Sequence, residues 1–226
     1  MKSLVVLTGA GISAASGLKT FRDGNGLWEE YPIEQVASIE GWQLNPKLVL
    51  EFYNKRRDQA RTAESNQAHY FIADLENNYD VNIVTQNVDD LHERAGSSSV
   101  LHLHGRLEDY KCVNNCHFGQ VSKSIEMGDN CANEYQLRPD IVWFGEDVPN
   151  YSQALDLVRN CDVLLIIGTS LQVYPAANLA YQAEKASSII LVDPNASEME
   201  LSFGHKFEII DKPIISGLKE LSALLD

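Results

Sequence analysis

Residues able to do chemistry recur just after short apolar runs. Thr85-Gln86-Asn87-Val88-Asp89-Asp90-Leu91-His92 follows the β-branched run Val81–Thr85. Amides, carboxylates and a histidine in one turn can orient a sugar by hydrogen bonds or move a proton. Asn87 or Asp89 could equally cap a helix. Next comes Leu101-His102-Leu103-His104-Gly105, whose histidines are two apart and share one face if the segment is a strand. Such a pair can hold a metal or supply one base beside a bystander. Either histidine could instead be a hydrogen-bonded core residue. Gly168-Thr169-Ser170 after Val163–Ile167 and Asp193-Pro194-Asn195 after Ile189–Val192 repeat the pattern. Together with the chain's glycine-rich opening, these strand ends point to one ligand-lined crevice rather than to separate capping accidents.

That opening is Leu4-Val5-Val6-Leu7-Thr8-Gly9-Ala10-Gly11-Ile12-Ser13-Ala14. It predicts a strand, a tight turn and a helix start. Gly9 and Gly11 would let the backbone approach a pyrophosphate, and a helix N-terminus would add N–H donors. Ala14 completes a G-x-G-x-x-A fingerprint, although a plain tight turn explains the glycines equally well. Dehydrogenases place an acid for the ribose about 20 residues further on. Tyr31 occupies that distance from Gly11.

The elements that would position these residues alternate. Buried strands are expected at Leu4–Leu7, Val81–Thr85, Val100–Leu103, Ile141–Phe144, Val163–Ile167, Ile189–Val192 and Phe207–Ile210. Helical patterns cover Pro46–Thr62, Gln67–Asn77, Ser152–Arg159, Ala176–Ala186 and Ile214–Leu225. Asn45 before Pro46 marks a capped helix start. The alternation predicts an α/β fold with a parallel sheet covered on both faces. Two regions break it. Phe21 to about Thr62 carries no convincing strand. Lys111 to about Gln136 is polar, Asn-rich and holds three of the four cysteines.

With 226 residues, 44% hydrophobic and 22% charged, the chain suits one globular unit. A net charge of −14 repels phosphate backbones and anionic membranes and tolerates basic, lysine-rich partners. No apolar run reaches the roughly 20 residues of a membrane span, and none resembles a signal peptide. A cytoplasmic protein with reduced cysteines is expected.

Taken together, Gly9-Ala10-Gly11-Ile12-Ser13-Ala14-Ala15-Ser16-Gly17, Thr20-Phe21-Arg22, Thr85-Gln86-Asn87-Val88-Asp89, Leu103-His104-Gly105, Leu137-Arg138-Pro139, Val142-Trp143-Phe144-Gly145-Glu146 and Gly168-Thr169-Ser170-Leu171 stand in sirtuin order and spacing. The chain resembles this family of NAD-dependent protein-lysine deacylases from Leu4 to about Leu221. Within it, the chain is most similar to compact bacterial members of the desuccinylase type. The resemblance implies a Rossmann-like large domain (about 1–20, 80–110 and 140–226) and a small domain made of two insertions (about 21–79 and 111–139). It implies attack of an acyl-lysine carbonyl on the nicotinamide ribose, loss of nicotinamide, and formation of O-acyl-ADP-ribose.

The resemblance also implies roles. His104 is the general base that relieves a ribose hydroxyl of its proton. Asn87 orients the ribose and a water, Asp89 holds the carboxamide of nicotinamide, and Gln86 contacts the ribose. Gly9, Ala10 and Gly11 cradle the pyrophosphate, with Ser13 and Arg22 nearby. Gly168, Thr169 and Ser170 line the phosphate side. Asn195 meets the adenosine ribose, and the Ile214 backbone meets adenine. Phe21 in the cofactor loop shields the reactive ribose. Val142 with Phe144, Gly145 and Glu146 forms one edge of a peptide clamp, and Gln172-Val173-Tyr174 forms the other, by strand addition to acyl-lysine segments.

Two departures and one pair matter further. Ala15 replaces a Glu common in the family, with minor consequence. Zinc-bearing members carry two C-x-x-C pairs. Here Cys112, Cys116 and Cys131 remain, Glu134 stands at the fourth place, and His117 adjoins Cys116 awkwardly. A degenerate module without metal is expected, since structural zinc takes four ligands. Tyr53 and Arg56 lie one turn apart on one helix face. That could be a plain solvated face, but the pair resembles the acid-recognition pair of desuccinylase-type members. Its guanidinium fork and hydroxyl suit a carboxylate-ended acyl group. An ordinary NAD oxidoreductase, a mono-ADP-ribosyltransferase and a non-catalytic nucleotide-binding module are the alternatives. The missing second-strand acid opposes the first, and intact His104, Asn87 and Asp89 oppose the last.

Overall fold

A computed structural model of the chain describes residues 1–19, 27–28, 31–199 and 207–225. Phe21 and Arg22, both expected at the cofactor, lie outside the described residues. The strands are β1 (Lys2–Thr8), β2 (Leu27–Trp28), β3 (Tyr31–Pro32), β4 (Tyr79–Thr85), β5 (Val100–His102), β6 (Gly105–Cys112), β7 (Phe118–Gln120), β8 (Leu137–Ile141), β9 (Val163–Ile167), β10 (Ser188–Val192) and β11 (Phe207–Ile210). The α-helices are α1 (Ile33–Val36), α2 (Ile39–Leu44), α3 (Pro46–Thr62), α4 (Gln67–Asp74), α5 (Leu91–Arg94), α6 (Tyr151–Asn160) and α7 (Ile214–Leu225).

Six strands form one parallel sheet in the order β11-β10-β9-β1-β4-β5. Successive residues of β1 point to opposite faces, as strand geometry requires. Val5 and Leu7 join a core with Leu164, Ile166 and Leu191, closed by α6 through Ala154 and Val158. Leu4 and Val6 join Leu165, Ile167 and Ile190 on the other face, closed by α4 and α7 through Ile72 and Leu221. Burial on both faces explains why these strands read as unbroken apolar runs. Helices therefore cover both faces of a Rossmann-like sheet. A third core unites α3, Val36, Leu107, Ile141 and Trp143 beside this sheet. There β6 pairs antiparallel with β7 and β8. Helix α4 packs with the large sheet although it lies within the range expected for the first insertion.

Four expectations need correction. No α-helix follows Gly11; the segment forms 3-10 turns at Ala10–Ile12 and Ala14–Ser16. Asn66 Nδ2 occupies the Ile12 carbonyl at 2.8 Å, the acceptor that a following α-turn would use. Strand Ile141–Phe144 is displaced to β8, which ends at Ile141. Pro139 is tolerated there because β8 is an edge strand. Ala176–Ala186 is not an α-helix but a 3-10 stretch over Ala176–Gln182. Within it Ala176 and Leu179, and Ala177 and Ala180, are buried, a spacing of three that matches 3-10 geometry rather than 3.6. The first insertion also holds the short antiparallel strand pair β2–β3, where no strand was expected.

Candidate active site

Thr8 pairs in register with Thr85 and Ile167, and Ile167 with Val192. The carboxyl ends of β4, β1, β9 and β10 thus form one row. Strand order reverses at β1, the place where open α/β sheets bind ligands. The loops beyond that row enclose a cleft of about 590 Å³.

Its floor is two glycine turns pressed together. Gly11 N donates to Gly168 O at 2.9 Å. A Cβ on Gly11 would lie 2.7 Å from the Gly168 backbone, and Gly168 itself has φ +60°. Only glycine fits both places. Ala10, Thr169 and Ser170 border the same floor, and Asn195 and Ile214 line the far end. The Asn195 backbone N–H is held by Asp193 Oδ1 at 3.0 Å. This small-residue cradle, with hydroxyls and backbone at its surface, fits a dinucleotide pyrophosphate.

Beyond β4, Gln86 Nε2 donates to Thr169 Oγ1 at 3.0 Å, bridging across the end of β1. Asn87 Nδ2 donates to Ser13 Oγ at 3.1 Å, and Ser13 Oγ donates to Asp89 Oδ2 at 3.2 Å. Asp89 Oδ1 accepts the Leu91 N–H at 3.2 Å. Burial pushes the Asp89 carboxyl above its ordinary value, while the Leu91 and Ser13 hydrogen bonds hold it down.

His104 stands just past β5. Its Nδ1 lies 3.1 Å from the Gln86 carbonyl, which can only accept, so Nδ1 carries the proton and Nε2 the lone pair. Burial lowers its pKa, partly offset by that bond. His102 is tied elsewhere: Nδ1 to the Asn87 carbonyl at 2.9 Å and Nε2 to Glu93 at 2.9 Å. Gly105, at φ +79°, turns the chain into β6, and a Cβ there would lie 1.8 Å from Asp140 O.

Val142, Phe144, Gly145 and Glu146 form one wall of the cleft, and Tyr174 stands at another edge. Arg138 holds Glu146 through two hydrogen bonds at 2.7 and 3.0 Å. Tyr53 and Arg56, both buried on α3, line the same cleft as His104. Of the described residues expected at the site, all but Gln172 line this one cleft. Trp143 received no role from sequence. Its indole Nε1 donates to the Tyr53 hydroxyl at 3.1 Å, and only its position between Val142 and Phe144 hinted at a place in the wall.

Away from the cleft, Cys112 Sγ lies 3.3 Å from Cys116 Sγ, which lies 3.8 Å from Cys131 Sγ. No other His, Cys, Asp or Glu among the described residues joins this cluster. His117 Nε2 faces the Tyr110 hydroxyl at 3.3 Å instead. The three thiols supply three of the four ligands of a structural zinc.

Comparison with known proteins agrees with the geometry. A sequence model of the Sir2 family matches residues 9–175. An NAD-dependent protein deacylase of Helicobacter pylori is 50% identical over 222 residues, covering 98% of this chain and 96% of that protein. The crystal structure of a Sir2 homologue–NAD complex superposes with a TM-score of 0.87 at 35% identity, covering 99% of this chain and 89% of the other. Sir2 in complex with the inhibitor EX-527, 2'-O-acetyl-ADP-ribose and a deacetylated p53 peptide gives 0.80 at 28% identity, with coverage of 98% and 93%.

Proposed function

The chain belongs to the Sir2 family and is an NAD-dependent protein deacylase, and from that premise we propose that its acyl pocket accepts carboxylate-ended groups, succinyl and malonyl lysine, as well as acetyl lysine. The observation that carries this is the presence of Tyr53 and Arg56 in the wall of the cleft that holds His104. A planar guanidinium can pair both oxygens of a carboxylate and a phenol can donate a third bond, neither of which an acetyl group uses.

NAD, when bound, supplies an electrophilic anomeric carbon with nicotinamide as leaving group. His104 Nε2, unprotonated, takes a proton from a ribose hydroxyl. Asn87 and Ser13 hold their side chains in fixed orientation beside it, and Asp89 offers a carboxylate to an amide donor. The glycine floor lets backbone approach the pyrophosphate. Phe144 and Tyr174, both exposed at the cleft edges, suit docking of an extended peptide.

Incubating the protein with NAD and matched acetyl, malonyl and succinyl peptides tests this reading. Free nicotinamide and O-acyl-ADP-ribose should form from all three. Turnover of acetyl peptide alone would overturn the acidic-acyl part. We also infer that the three-thiol cluster holds less than one tightly bound zinc per chain, because Glu134 stands in place of a fourth cysteine. Elemental analysis giving one zinc that resists mild chelation would contradict that.

A further inference from the structure

Tyr53 is fully buried, yet its hydroxyl is not left to choose its own orientation. Trp143 Nε1 donates to it at 3.1 Å. An indole N–H can only donate, so the Tyr53 oxygen must accept on that side, and its own proton must point off that axis. We propose that Trp143 is a positioning residue for acyl specificity: by donating to Tyr53 it sets the Tyr53 hydroxyl as a donor and so favours an acyl group ending in an acceptor such as a carboxylate. This rests on the reading of Tyr53 and Arg56 as the acid-recognition pair.

The indole is itself firmly held. Its backbone N–H donates to Glu146 Oε2 at 2.9 Å. The Arg138 guanidinium lies 3.3 Å from the ring centroid, and that guanidinium is fixed by its two hydrogen bonds to Glu146. Trp42 packs against the ring at a centroid distance of 5.4 Å. A donor held on several sides imposes orientation on its acceptor at little entropic cost. Accepting a hydrogen bond also polarises the phenol and strengthens its own donation in a low-dielectric site. Burial drives the Tyr53 pKa upward, so the hydroxyl keeps its proton at neutral pH.

A carboxylate accepts a hydrogen bond from that hydroxyl, and Arg56 on the next turn of α3 adds charge. A methyl-ended acyl group gains nothing from either. Trp143 therefore acts on the ratio between acidic and neutral substrates, which a merely structural residue would not move.

The test measures kcat/KM for succinyl and acetyl peptides on one preparation of each variant. The ratio of the two is independent of how much of the preparation is folded. Trp143→Phe keeps an aromatic ring and removes the donor together with part of the buried ring surface, a packing change that acts on both peptides alike. The succinyl-to-acetyl ratio should fall about tenfold, the scale of one hydrogen bond to a charged acceptor. In Tyr53→Phe, which has no hydroxyl to orient, adding Trp143→Phe should leave the ratio unchanged. A wild-type ratio in Trp143→Phe, with Arg56→Met lowering the ratio, overturns the proposal alone. An Arg56→Met ratio equal to wild type overturns the acid-recognition reading beneath it.

Discussion

His104 combines two properties that a general base needs. Its Nδ1 proton is committed to the Gln86 carbonyl, which leaves Nε2 as the acceptor. Its burial lowers the pKa, so the neutral form persists into mildly acid solution. The sign follows directly: the base works above its own lowered pKa and fails below it. The acid limb of kcat/KM for deacylation should therefore fall below pH 6.5, the ordinary value for histidine. A limb at or above that pH would contradict the burial argument. His104→Ala should lose about 10²–10⁴-fold in deacylation while keeping NAD affinity. Calorimetry with NAD and a peptide assay on the same variant check both halves.

Elements deliver these residues through a few tight junctions. Gly105 sits where β5 hands over to β6, and any Cβ there would meet Asp140 O at 1.8 Å. Gly105→Ala should break the β6–β8 junction and lower the melting temperature sharply. Gly96 also has positive φ, +102°, but has open space around it. Gly96→Ala should cost only backbone strain, about 1–2 kcal/mol. Similar melting temperatures for the two variants would show that the contact is easily relieved. Helix α3 was legible from sequence because Asn45 caps Leu48 N at 3.1 Å and Pro46 opens the first turn. The β9 run was legible because burial on both faces needs continuous apolar residues. What sequence concealed were features set by distant partners. Asn66 reaches the Ile12 carbonyl and stops an α-helix. After Pro175, buried Ala176, Ala177, Leu179 and Ala180 keep a three-residue spacing in a composition that resembles an α-helix. Trp143 gains its role only because α3 folds over it, 90 positions away in the chain.

Across the whole molecule, acid should be destabilising before the acidic groups are protonated. His69 and His92 are buried in contact, with ring centroids 4.9 Å apart. Burial, with the nearby Arg94 charge, lowers His69 to about 4, and burial, with His69, lowers His92 to about 3. In the unfolded chain both titrate near 6.5. Between those values the unfolded state binds more protons, so stability is full above pH 6.5 and is lost as pH falls towards 4 and 3. At about 1.4 kcal/mol per pH unit for each group, the pair withdraws several kcal/mol. Urea midpoints should fall from pH 7 to pH 5, and His69→Gln should flatten that slope. A midpoint constant over this range would contradict the buried neutral pair.

The same whole-molecule view makes Arg56 unusual: a buried cation lining the reaction cleft of a chain with net charge −14. The most direct measurement is kcat/KM of the wild type and Arg56→Met on matched acetyl and succinyl peptides. The expected result is a loss confined mainly to the succinyl peptide, about 2–4 kcal/mol for a desolvated charge pair. An equal fall on both peptides would make Arg56 structural and refute the acidic-acyl pocket.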